Sequence, residues 1–340
     1  MISISACLIV KNEEAVLSRC LRSIQEIADE IIIVDTGSTD HTKEIAAKFT
    51  DQIFDFAWTN DFSKARNFSF SKATKEYIYV ADADEVIDEE NRKRFLQLKQ
   101  ALLPEIEIVQ MYYVNQLQYN TTYNFNREYR PKLYKRLRTF CWEEPIHEMI
   151  RLTPIIYDSE VEIQHCPISD HSGRDFYIFQ QMLKDENKLS KRLQTMYAKE
   201  LFIAGTKTDF LEAEVFFEKL LSKDGISEEE IRQCQCVLAR CARLKKDKES
   251  FFKHCLKNIA LNPPSCEVCF ELGEYFLENL DYEEATIWYY NAAYETQPEL
   301  AAKYGAELAL NRLADCYSAL GNKEEEKNYR KLAQEIKEKR

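Results

Sequence analysis

The sequence predicts an α/β domain built on a doubly wound, mainly parallel sheet, followed by an all-α array of helical repeats. Apolar strand-like segments alternate with segments of helical periodicity through residue 81, which is typical of a parallel sheet covered by helices. From Phe176 onward, helical periodicity dominates and strand-like segments disappear. In this second part Pro263 and Pro298 lie 35 residues apart and each closes a pair of helical segments. This spacing indicates repeats of about 34 residues.

The length and charge of the chain limit its class. A chain of 340 residues is too long for one ordinary core, so we expect two domains. A net charge of −12 argues against a nucleic-acid partner, and no segment approaches the roughly 18 apolar residues of a membrane span. Residues 1–5 lack the basic region of a signal peptide, and the 11 cysteines show no framework spacing. We therefore expect a cytoplasmic protein with reduced thiols.

The first domain contains alternating predicted strands and helices. The strands are expected at 3–10, 30–34, 53–56 and 77–81, and the helices at 15–27, 42–49 and 61–73. Thr39 or Asp40 is a suitable N-cap for the second helix. Ligands of such sheets bind beyond the carboxyl ends of the strands, so we expect the polar residues there to converge on one crevice. These residues are Asn12, Glu13, Asp35, Asp82 and Asp84.

Three acids lie within the four residues that follow the strand at 77–81. Two carboxylates at i and i+2 of a strand end are costly unless a positive charge lies between them. A divalent metal takes oxygen ligands and bridges to phosphate, so Asp82 and Asp84 are candidate metal ligands. The alternative is a strand followed by a solvated acidic turn.

Two further polar segments are candidates for ligand contact. The turn at 35–40 ends a central strand, and the Asp35 carboxylate could hold a base or a ribose there; alternatively the turn only caps a helix. Arg66 and Asn67 lie in the helix before the acidic strand. An arginine there is well placed to meet a diphosphate, although the pair could be an ordinary surface pair. Neither GxGxxG nor GxxxxGK[ST] occurs, so neither a dinucleotide fold nor a P-loop is supported.

Four polar segments of the first domain form a recognisable set. They are CLIVKNEE at 7–14, DTGSTD at 35–40, DFSKARN at 61–67 and DADE at 82–85. In this order they resemble the family 2 glycosyltransferases with a GT-A fold, in particular the bacterial subgroup that carries tetratricopeptide repeats behind the catalytic domain. The resemblance covers residues 1–175.

The resemblance implies a nucleotide-sugar donor, expected to be a UDP-sugar, and inversion at the sugar carbon. It also implies a divalent metal, Mn²⁺ or Mg²⁺, on Asp82 and Asp84. The donor site implied by the same likeness consists of Val10, Asn12, Glu13, Asp35, Gly37, Ser38, Asp61, Arg66, Asn67, Asp82 and Ala83.

The segment at 111–135 is crowded with tyrosine and asparagine. One interpretation is a β-hairpin with an aromatic face. The other is a platform for an acceptor or a sugar, because rings stack on sugar faces and amides bond hydroxyl groups. Arg127, Arg130 and Arg136 could neutralise a diphosphate, and we place Arg130 and Arg136 in the donor site.

The segment FCWEEPIHE at 140–148 contains the candidate general base. Family members have a similar pair of residues here that supplies the base, which implies Glu148 as the base with His147 beside it. The alternative is that both side chains only make hydrogen bonds at a strand end.

The segment HCPISDHSG at 165–173 resembles the His-Ser-Gly segment that precedes a long helix in the family. The likeness implies His171 as a third metal ligand or a diphosphate contact. Relatives often have a tyrosine where this chain has Arg174, and a capping or turn role for the segment is the alternative.

The second part of the chain predicts tetratricopeptide-like repeats. Helices are expected at 210–221, 231–244, 267–278, 281–296, 308–320 and 323–336. The expected boundaries are a glycosyltransferase domain at 1–175, a linker helix region at 176–209 and the repeats at 210–340. Such arrays form a solenoid whose concave face binds extended peptides, and they also mediate self-association. A peptide partner and a homodimer therefore both remain open.

Cysteines in the helical part have two interpretations. Cys234, Cys236 and Cys241 suggest a zinc site, as do Cys266 and Cys269. Cysteines two apart on a helix point in different directions, and small thiols commonly fill helix contacts, so we favour packing.

Two classes of function fit the sequence. The first is an inverting glycosyltransferase whose repeats select a protein or peptide acceptor, with a glycan-extending glycosyltransferase as a variant. The second is a tetratricopeptide binding module whose GT-A-like domain has lost activity. The presence of Asp82, Asp84, Arg66 and His171 favours the first class. A nucleotidyltransferase is disfavoured, because its glycine- and lysine-rich first loop is absent.

Overall fold

The structure is a computed structural model. It describes residues 1–114, 127–138, 142–150, 154–166, 172–184, 189–261 and 263–338. The chain divides into two compact units, of which the first ends at Ile178 and the second begins at Phe179. This division falls inside helix α5 (Ser172–Lys184).

Within the described residues, the first unit contains an eight-stranded sheet and a separate two-stranded sheet. The strands are β1 (Ile4–Val10), β2 (Glu30–Asp35), β3 (Ile53–Asp55), β4 (Tyr77–Ala81), β5 (Glu85–Val86), β6 (Ile108–Val114), β7 (Arg127–Lys135), β8 (Trp142–Glu143), β9 (Met149–Ile150) and β10 (Ile156–His165). The large sheet has the order β3-β2-β1-β4-β7-β6-β10-β5, and β8 pairs with β9. The helices before α5 are α1 (Leu17–Ile24), α2 (Thr42–Ala46), α3 (Phe62–Lys72) and α4 (Glu89–Ala101).

The large sheet is parallel over its first four strands in sequence. β1 pairs in parallel with β2 and β4, and β2 pairs in parallel with β3, so their carboxyl ends share one edge. β7 is antiparallel to both β4 and β6, whereas β6 and β10 are parallel. The predicted mainly parallel α/β sheet is confirmed. The antiparallel pair of β6 and β7 also confirms the hairpin interpretation for the described part of the tyrosine-rich segment.

Strand β2 shows why the middle of this sheet is apolar throughout. Ile31 and Ile33 pack into one core cluster, whereas Ile32 and Val34 pack into a second cluster. Successive side chains of a strand point to opposite faces, so both faces of the sheet at β2 are covered. A continuous apolar run is the expected sequence of such a strand.

The start of helix α2 differs from its predicted capping. The N-cap position belongs to His41, which makes no side-chain capping bond. Asp40 instead accepts a hydrogen bond from the backbone N–H of Thr42 at 3.0 Å. Asp40 thus still satisfies an unpaired N–H group of the first turn, although it lies one residue before the N-cap position.

The second unit is all-α in its described residues. Its helices after α5 are α6 (Lys191–Ala204), α7 (Lys207–Leu221), α8 (Glu228–Lys245), α9 (Lys248–Ile259), α10 (Cys266–Glu278), α11 (Tyr282–Tyr290), α12 (Glu307–Ala319) and α13 (Lys323–Glu338). Sequence-adjacent helices pack as pairs, as the repeat pattern predicted. Helix α6 belongs to this packing, because Tyr197 stacks on Phe217 of α7 with ring centroids 5.6 Å apart. None of the described helices is long and apolar enough to cross a lipid bilayer.

One glycine allows the close approach of helices α10 and α11. A Cβ atom at Gly273 would lie 2.6 Å from the ring of Tyr289, which is fully buried. Real Cβ contacts are not that short, so α10 and α11 could not keep this distance with a larger residue at 273. A small residue at a helix crossing is expected where two helices of a repeat pack tightly.

The cysteines of the helical unit support packing over zinc binding. Cys234, Cys236, Cys241, Cys266 and Cys269 are all at most 1% exposed. The Cys241 thiol lies 3.1 Å from the carbonyl oxygen of Phe210, and burial raises the pKa of Cys241 above its usual range. No cluster of three metal-binding side chains occurs in the part of the chain that the structure describes.

Candidate active site

The loops that follow β1 and β2 are joined by hydrogen bonds. The backbone N–H of Asn12 donates to Ser38 Oγ at 2.9 Å, and the N–H of Thr39 donates to Asn12 Oδ1 at 2.8 Å. The N–H of Glu13 donates to Thr42 Oγ1 at 2.7 Å. Asn12 has a φ of 56°, a left-handed conformation that asparagine adopts more readily than most residues. Three predicted donor-site residues therefore meet at one edge of the sheet.

Asp35 lies at the end of β2, and its carboxylate organises the following turn. The residue is 1% exposed, and its Oδ2 accepts hydrogen bonds from the N–H groups of Gly37 and Ser38, both at 3.1 Å. Lys43 Nζ lies 3.7 Å from the same oxygen. Gly37 has a φ of 100°, which favours glycine. The carboxylate thus holds the loop in shape.

Arg66 of helix α3 binds two carboxylates that are distant in sequence. Its Nη2 lies 2.6 Å from Asp82 Oδ1, and its Nε lies 3.1 Å from Glu148 Oε1. The residue is 7% exposed, and its guanidinium lies 5.6 Å from the ring centroid of Trp142. Arg66 was predicted to meet a diphosphate. In the structure it joins the first acid of the predicted metal pair to the predicted base.

The charges of this group stabilise one another. Burial alone would disfavour the charged form of Arg66, but Asp82 and Glu148 outweigh it and raise the pKa of Arg66 above its usual range. Burial would likewise raise the pKa of Asp82, but the positive charge of Arg66 holds that pKa well below its usual range. Asp82 is therefore ionised at neutral pH, as a ligand of a cation must be.

Glu148 has one engaged and one available oxygen. Arg66 contacts Oε1, and no hydrogen bond reaches Oε2 from any residue that the structure describes. The side chain is 15% exposed. A general base needs a fixed position and an open lone pair, and this arrangement provides both.

The loop before Glu148 has an unusual backbone. Glu144 and His147 have φ values of 70° and 48°, which non-glycine residues adopt infrequently. The carbonyl oxygen of Pro145 accepts a hydrogen bond from the N–H of Phe62 at 2.8 Å, which ties the loop to the start of α3. Such conformations persist where surrounding contacts hold them, and they cluster at functional sites. The predicted residue His147 thus lies beside Glu148 in a constrained loop.

Asp84 contacts the imidazole of His165, which was not among the predicted site residues. Its Oδ2 lies 3.1 Å from His165 Nε2, and the two backbones are close because β10 pairs His165 with Glu85. His165 begins the segment that contains His171, but only strand pairing brings it to the acids. His171 lies outside the described residues.

A buried ion pair lies directly behind the acidic turn. Lys132 of β7 and Glu85 are 4% and 2% exposed, and their charged groups are in contact. Lys132 Nζ also donates to the carbonyl oxygen of Val80 at 3.4 Å. Burial raises the pKa of Glu85 above its usual value. Lys132 therefore anchors both ends of the β4–β5 connection, a role that no sequence motif indicated.

Arg136 does not reach the predicted donor site. β7 runs antiparallel to β4, and its last residue, Lys135, pairs with Tyr77 at the amino end of β4. Arg136 Nε donates to the carbonyl oxygen of Lys75 at 2.5 Å. The acids lie beyond the opposite end of β4, so assigning Arg136 to the diphosphate is incompatible with the strand direction.

Arg130 lies toward the edge of the sheet that carries the acids, as predicted for a donor-site residue. Its guanidinium lies 4.0 Å from the ring centroid of Tyr113, and that ring lies 5.3 Å from the ring of His165. Its Nε also donates to Glu128 Oε1 at 2.6 Å. Because β7 is antiparallel to β4, residues early in β7 approach the acids while residues late in β7 recede from them.

Four other predicted donor-site residues have local roles. Asp61 caps α3 by accepting from the N–H of Lys64 at 3.2 Å. The Asn67 amide exchanges two hydrogen bonds with the backbone of Trp142, at 2.9 and 2.8 Å. Val10 and Ala83 are 2% and 5% exposed and pack in the core. The side chains of these four residues are satisfied without a ligand.

The acids and His165 fit a divalent metal in their donor chemistry. Carboxylate oxygen and imidazole nitrogen are both common ligands of Mn²⁺-type ions. The described residues contain no group of three such side chains close enough to hold a metal alone. Metals at phosphate sites commonly use one or two carboxylates together with substrate phosphates and water, so a site there would need only one or two of these side chains.

Comparisons with known proteins agree with the motifs. Residues 5–154 match the family described as glycosyl transferase family 2. A TPR repeat-containing protein of Synechococcus elongatus is 44% identical over 85 residues, which are 25% of this chain and 21% of that protein. The SPbeta prophage-derived glycosyltransferase SunS of Bacillus subtilis is 37% identical over 102 residues, which are 29% of this chain and 24% of SunS. The chain therefore spans less than a quarter of either relative.

One solved structure has low similarity to this chain. A crystal structure of glucosyl-3-phosphoglycerate synthase from Mycobacterium tuberculosis, in complex with Mn²⁺, uridine diphosphate and glucosyl-3-phosphoglycerate, is 14% identical with a TM-score of 0.39. The match covers 56% of this chain and 82% of that chain.

The fold and the charged residues at its strand ends define an α/β domain, which a helical array follows in the sequence. This domain is similar to glycosyl transferase family 2 over residues 5–154, and the second unit is a tetratricopeptide-like helical region.

Proposed function

We propose that the chain is an inverting, metal-dependent glycosyltransferase that moves a sugar from a nucleotide-sugar donor, expected to be a UDP-sugar, to a protein or peptide acceptor. The observation that carries the proposal is the contact of Arg66 with both Asp82 and Glu148. This contact joins a candidate metal carboxylate and a candidate base beyond the carboxyl end of β4. Ligands of α/β sheets bind at such ends.

In the proposed reaction, a nucleophilic atom of the acceptor attacks the sugar carbon that carries the diphosphate. The bond from that carbon to the diphosphate oxygen breaks, and its electron pair leaves with the nucleoside diphosphate. Glu148 takes the proton of the attacking group on its open oxygen, while Arg66 holds the other oxygen. Attack from the face opposite the leaving group inverts the configuration at that carbon.

Asp84 and His165, with Asp82, are the residues that would hold the metal, which supplies positive charge to the leaving diphosphate. Lys132 keeps Glu85 neutralised behind this turn, so that its charge does not compete with the ligand carboxylates. Asn12, Glu13 and Ser38 belong to the joined loops that we assign to the nucleoside half of the donor.

A polypeptide acceptor is favoured by the size of the helical unit. Residues 179–340 are nearly half of the chain. A small acceptor would need only the crevice of the first unit, whereas an array of helices offers many weak contacts along an extended chain. Such contacts raise the effective concentration of the reacting side chain. A homodimer through the helices is the competing use of this surface, and sedimentation of the full chain distinguishes a monomer from a dimer.

The proposal is tested by incubating the full chain with UDP-, GDP- and TDP-sugars, with Mn²⁺ and with a chelator. We expect metal-dependent release of nucleoside diphosphate from one class of donor. Binding without turnover of any donor would indicate an inactive domain and a binding module. Transfer to an oligosaccharide but not to polypeptides would indicate a glycan-extending enzyme.

A further inference from the structure

The arginines predicted to face the donor diphosphate are engaged elsewhere in the structure. Arg66 holds two carboxylates, Arg130 contacts a glutamate of its own strand, and Arg136 donates to a backbone carbonyl near the amino end of β4. A diphosphate is an anion whose oxygens pair well with cationic side chains. Positive charge beyond that of a metal would thus have to come from a side chain outside this set.

Arg19 of helix α1 is an exposed arginine whose guanidinium is held at only one nitrogen. Its Nη2 donates a hydrogen bond to the carbonyl oxygen of Cys166 at 2.7 Å. In the part of the chain that the structure describes, no carboxylate oxygen lies within 4.0 Å of this guanidinium, and neither Nε nor Nη1 makes a hydrogen bond. These two nitrogens are therefore open to a ligand.

The hydrogen bond to Cys166 places Arg19 beside the predicted metal acids. The N–H of Cys166 donates to the carbonyl oxygen of Asp84 at 3.1 Å, and the preceding residue, His165, contacts the Asp84 carboxylate. Burial raises the pKa of the Cys166 thiol, Arg19 lowers it and Asp84 raises it, so both charges lie near the same thiol. The guanidinium is therefore close to the acidic turn that follows β4.

The beginning of α1 lies between two parts of the proposed donor site. The N–H of Leu17 donates to the carbonyl oxygen of Glu13 at 2.9 Å, and the Cys20 thiol donates to the carbonyl oxygen of Asp82 at 3.3 Å. Glu13 belongs to the loops assigned to the nucleoside, and Asp82 is a candidate metal ligand. Arg19 lies between Leu17 and Cys20 in this helix. Because a diphosphate joins the nucleoside to the metal, its expected path passes this part of α1.

We propose that Arg19 binds the diphosphate of the donor, and then that of the departing nucleoside diphosphate, through its open nitrogens. A guanidinium presents its N–H groups in a planar fork that matches phosphate oxygens. The hydrogen bond to Cys166 already restricts the side chain, so less rotamer freedom is lost on binding. The inference rests on the proposed function, because Arg19 would complete the same donor site. The alternative is that Arg19 only ties α1 to the end of β10.

The test measures binding of nucleoside diphosphates to the full chain without any sugar donor, so the result does not depend on turnover. UDP, GDP and TDP are titrated with Mn²⁺ by calorimetry, and the one that binds most tightly is compared with its own nucleoside. The nucleoside contains the base and the sugar ring but no phosphate, so it reports on the rest of the donor site. Ligand-observed NMR measures the weaker binding of the nucleoside.

The matched variants are Arg19→Gln and Arg22→Gln. Both arginines are exposed on α1, and Arg22 lies in its last turn. Glutamine removes the charge at position 19 but keeps an N–H group that can donate to the carbonyl oxygen of Cys166. A third variant, Arg19→Lys, keeps the charge and loses the planar fork. Glutamine and lysine are both good helix formers, and thermal midpoints confirm that each variant folds.

We expect Arg19→Gln to weaken binding of the nucleoside diphosphate by roughly tenfold, because hydrogen bonds to a charged group are lost, and to leave binding of the nucleoside unchanged. Arg22→Gln should bind both ligands like the parent. Arg19→Lys should lie between the parent and Arg19→Gln. Added salt should reduce the difference between Arg19→Gln and the parent.

Equal weakening of both ligands in Arg19→Gln would show that Arg19 only supports the shape of α1, and would overturn the inference. So would parental affinity of Arg19→Gln for the nucleoside diphosphate, or the same loss in Arg22→Gln. A parent protein that binds no nucleoside diphosphate with Mn²⁺ would refute the proposed function itself, and the inference with it.

Discussion

Arg66 and Asp82 form an ion pair in which the guanidinium Nη2 lies 2.6 Å from the carboxylate Oδ1, although the residues are 16 positions apart in sequence. The same guanidinium holds Glu148 through Nε. A shift in this one side chain therefore moves a candidate metal carboxylate and the candidate base together. Arg66 is a positioning residue, and its planar group suits two separate carboxylates.

Arg66→Lys should lower turnover strongly while leaving the protein folded. A lysine keeps the charge but offers a single nitrogen, so it cannot hold both carboxylates in place. A misplacement of about 1 Å can cost roughly 10²-fold in rate, and we expect a loss of that size in kcat. Arg92→Lys, which alters an ion pair with Glu26 on the surface, is the matched control and should be near parental. Equal turnover in the two variants would remove the positioning role.

Asp84→Asn should abolish metal-dependent donor binding without unfolding the protein. The amide retains the size of the side chain but loses the charge that a divalent cation requires. Glu85, the adjacent acid, is committed to Lys132 and cannot replace it. The measurement is donor binding by calorimetry with and without Mn²⁺, with Asp51→Asn in an exposed loop as control. Parental turnover by a folded Asp84→Asn protein would show that the metal assignment is wrong.

His165→Gln tests the imidazole that the strand pairing brings to Asp84. We expect the Mn²⁺ concentration at half-maximal activity to rise by about 10- to 100-fold, because a nitrogen ligand or an orienting group is lost. The maximal rate at saturating metal should fall less than in Asp84→Asn. An unchanged metal dependence would mean that His165 only packs against Tyr113.

Glu148→Gln should lower the rate and leave donor binding intact. Glutamine keeps an oxygen for the hydrogen bond from Arg66 but cannot accept a proton, and losing a general base typically costs about 10²–10⁴-fold. Single-turnover transfer and donor affinity are measured on the same protein. A collapse of donor affinity would instead assign Glu148 to the metal surroundings, and the base would then be sought at Glu143 or Glu144.

Lowering the pH should reduce the free energy of unfolding, because His254 of the helical unit becomes protonated more readily in the unfolded chain. Its Nδ1 lies 2.7 Å from Gln235 Oε1, and burial, followed by the charges of Lys253 and Lys257, lowers its pKa from 6.5 to about 4. Between these values the unfolded chain binds a proton that the folded chain does not. The free energy of unfolding therefore falls as the pH falls through this window.

His254→Gln should reduce the fall in thermal midpoint between neutral pH and the acid end of this window, since the titrating group is removed. His41 is the control, because its pKa shifts in the opposite direction to that of His254. The hydrogen bond with Glu14 raises the pKa of His41. His41→Gln should not reduce the acid sensitivity. If the thermal midpoint of His254→Gln falls as much as that of the parent protein, other groups are responsible for the acid sensitivity.

The sequence alone was sufficient for the order of β1 to β4 and α1 to α3, for most helices of the second unit, and for the edge of the sheet that carries the acids. These features depend on short-range patterns: the apolar run of β2, the helical spacing in α7 and α8 and in α10 to α13, and acids at i and i+2 after β4. Each element is specified by residues within one or two turns or strands, so periodicity identifies it.

Only the tertiary structure decided which side chains meet. Glu148 reaches Arg66 across 82 residues, and His165 reaches Asp84 because β10 lies beside β5. The direction of β7 places Arg136 at the wrong end of β4 while Lys132 lies under the acidic turn. Contacts of this kind depend on strand order and direction, which are set by packing of the whole sheet. No local spacing of residues encodes them, because local periodicity carries information about one element at a time.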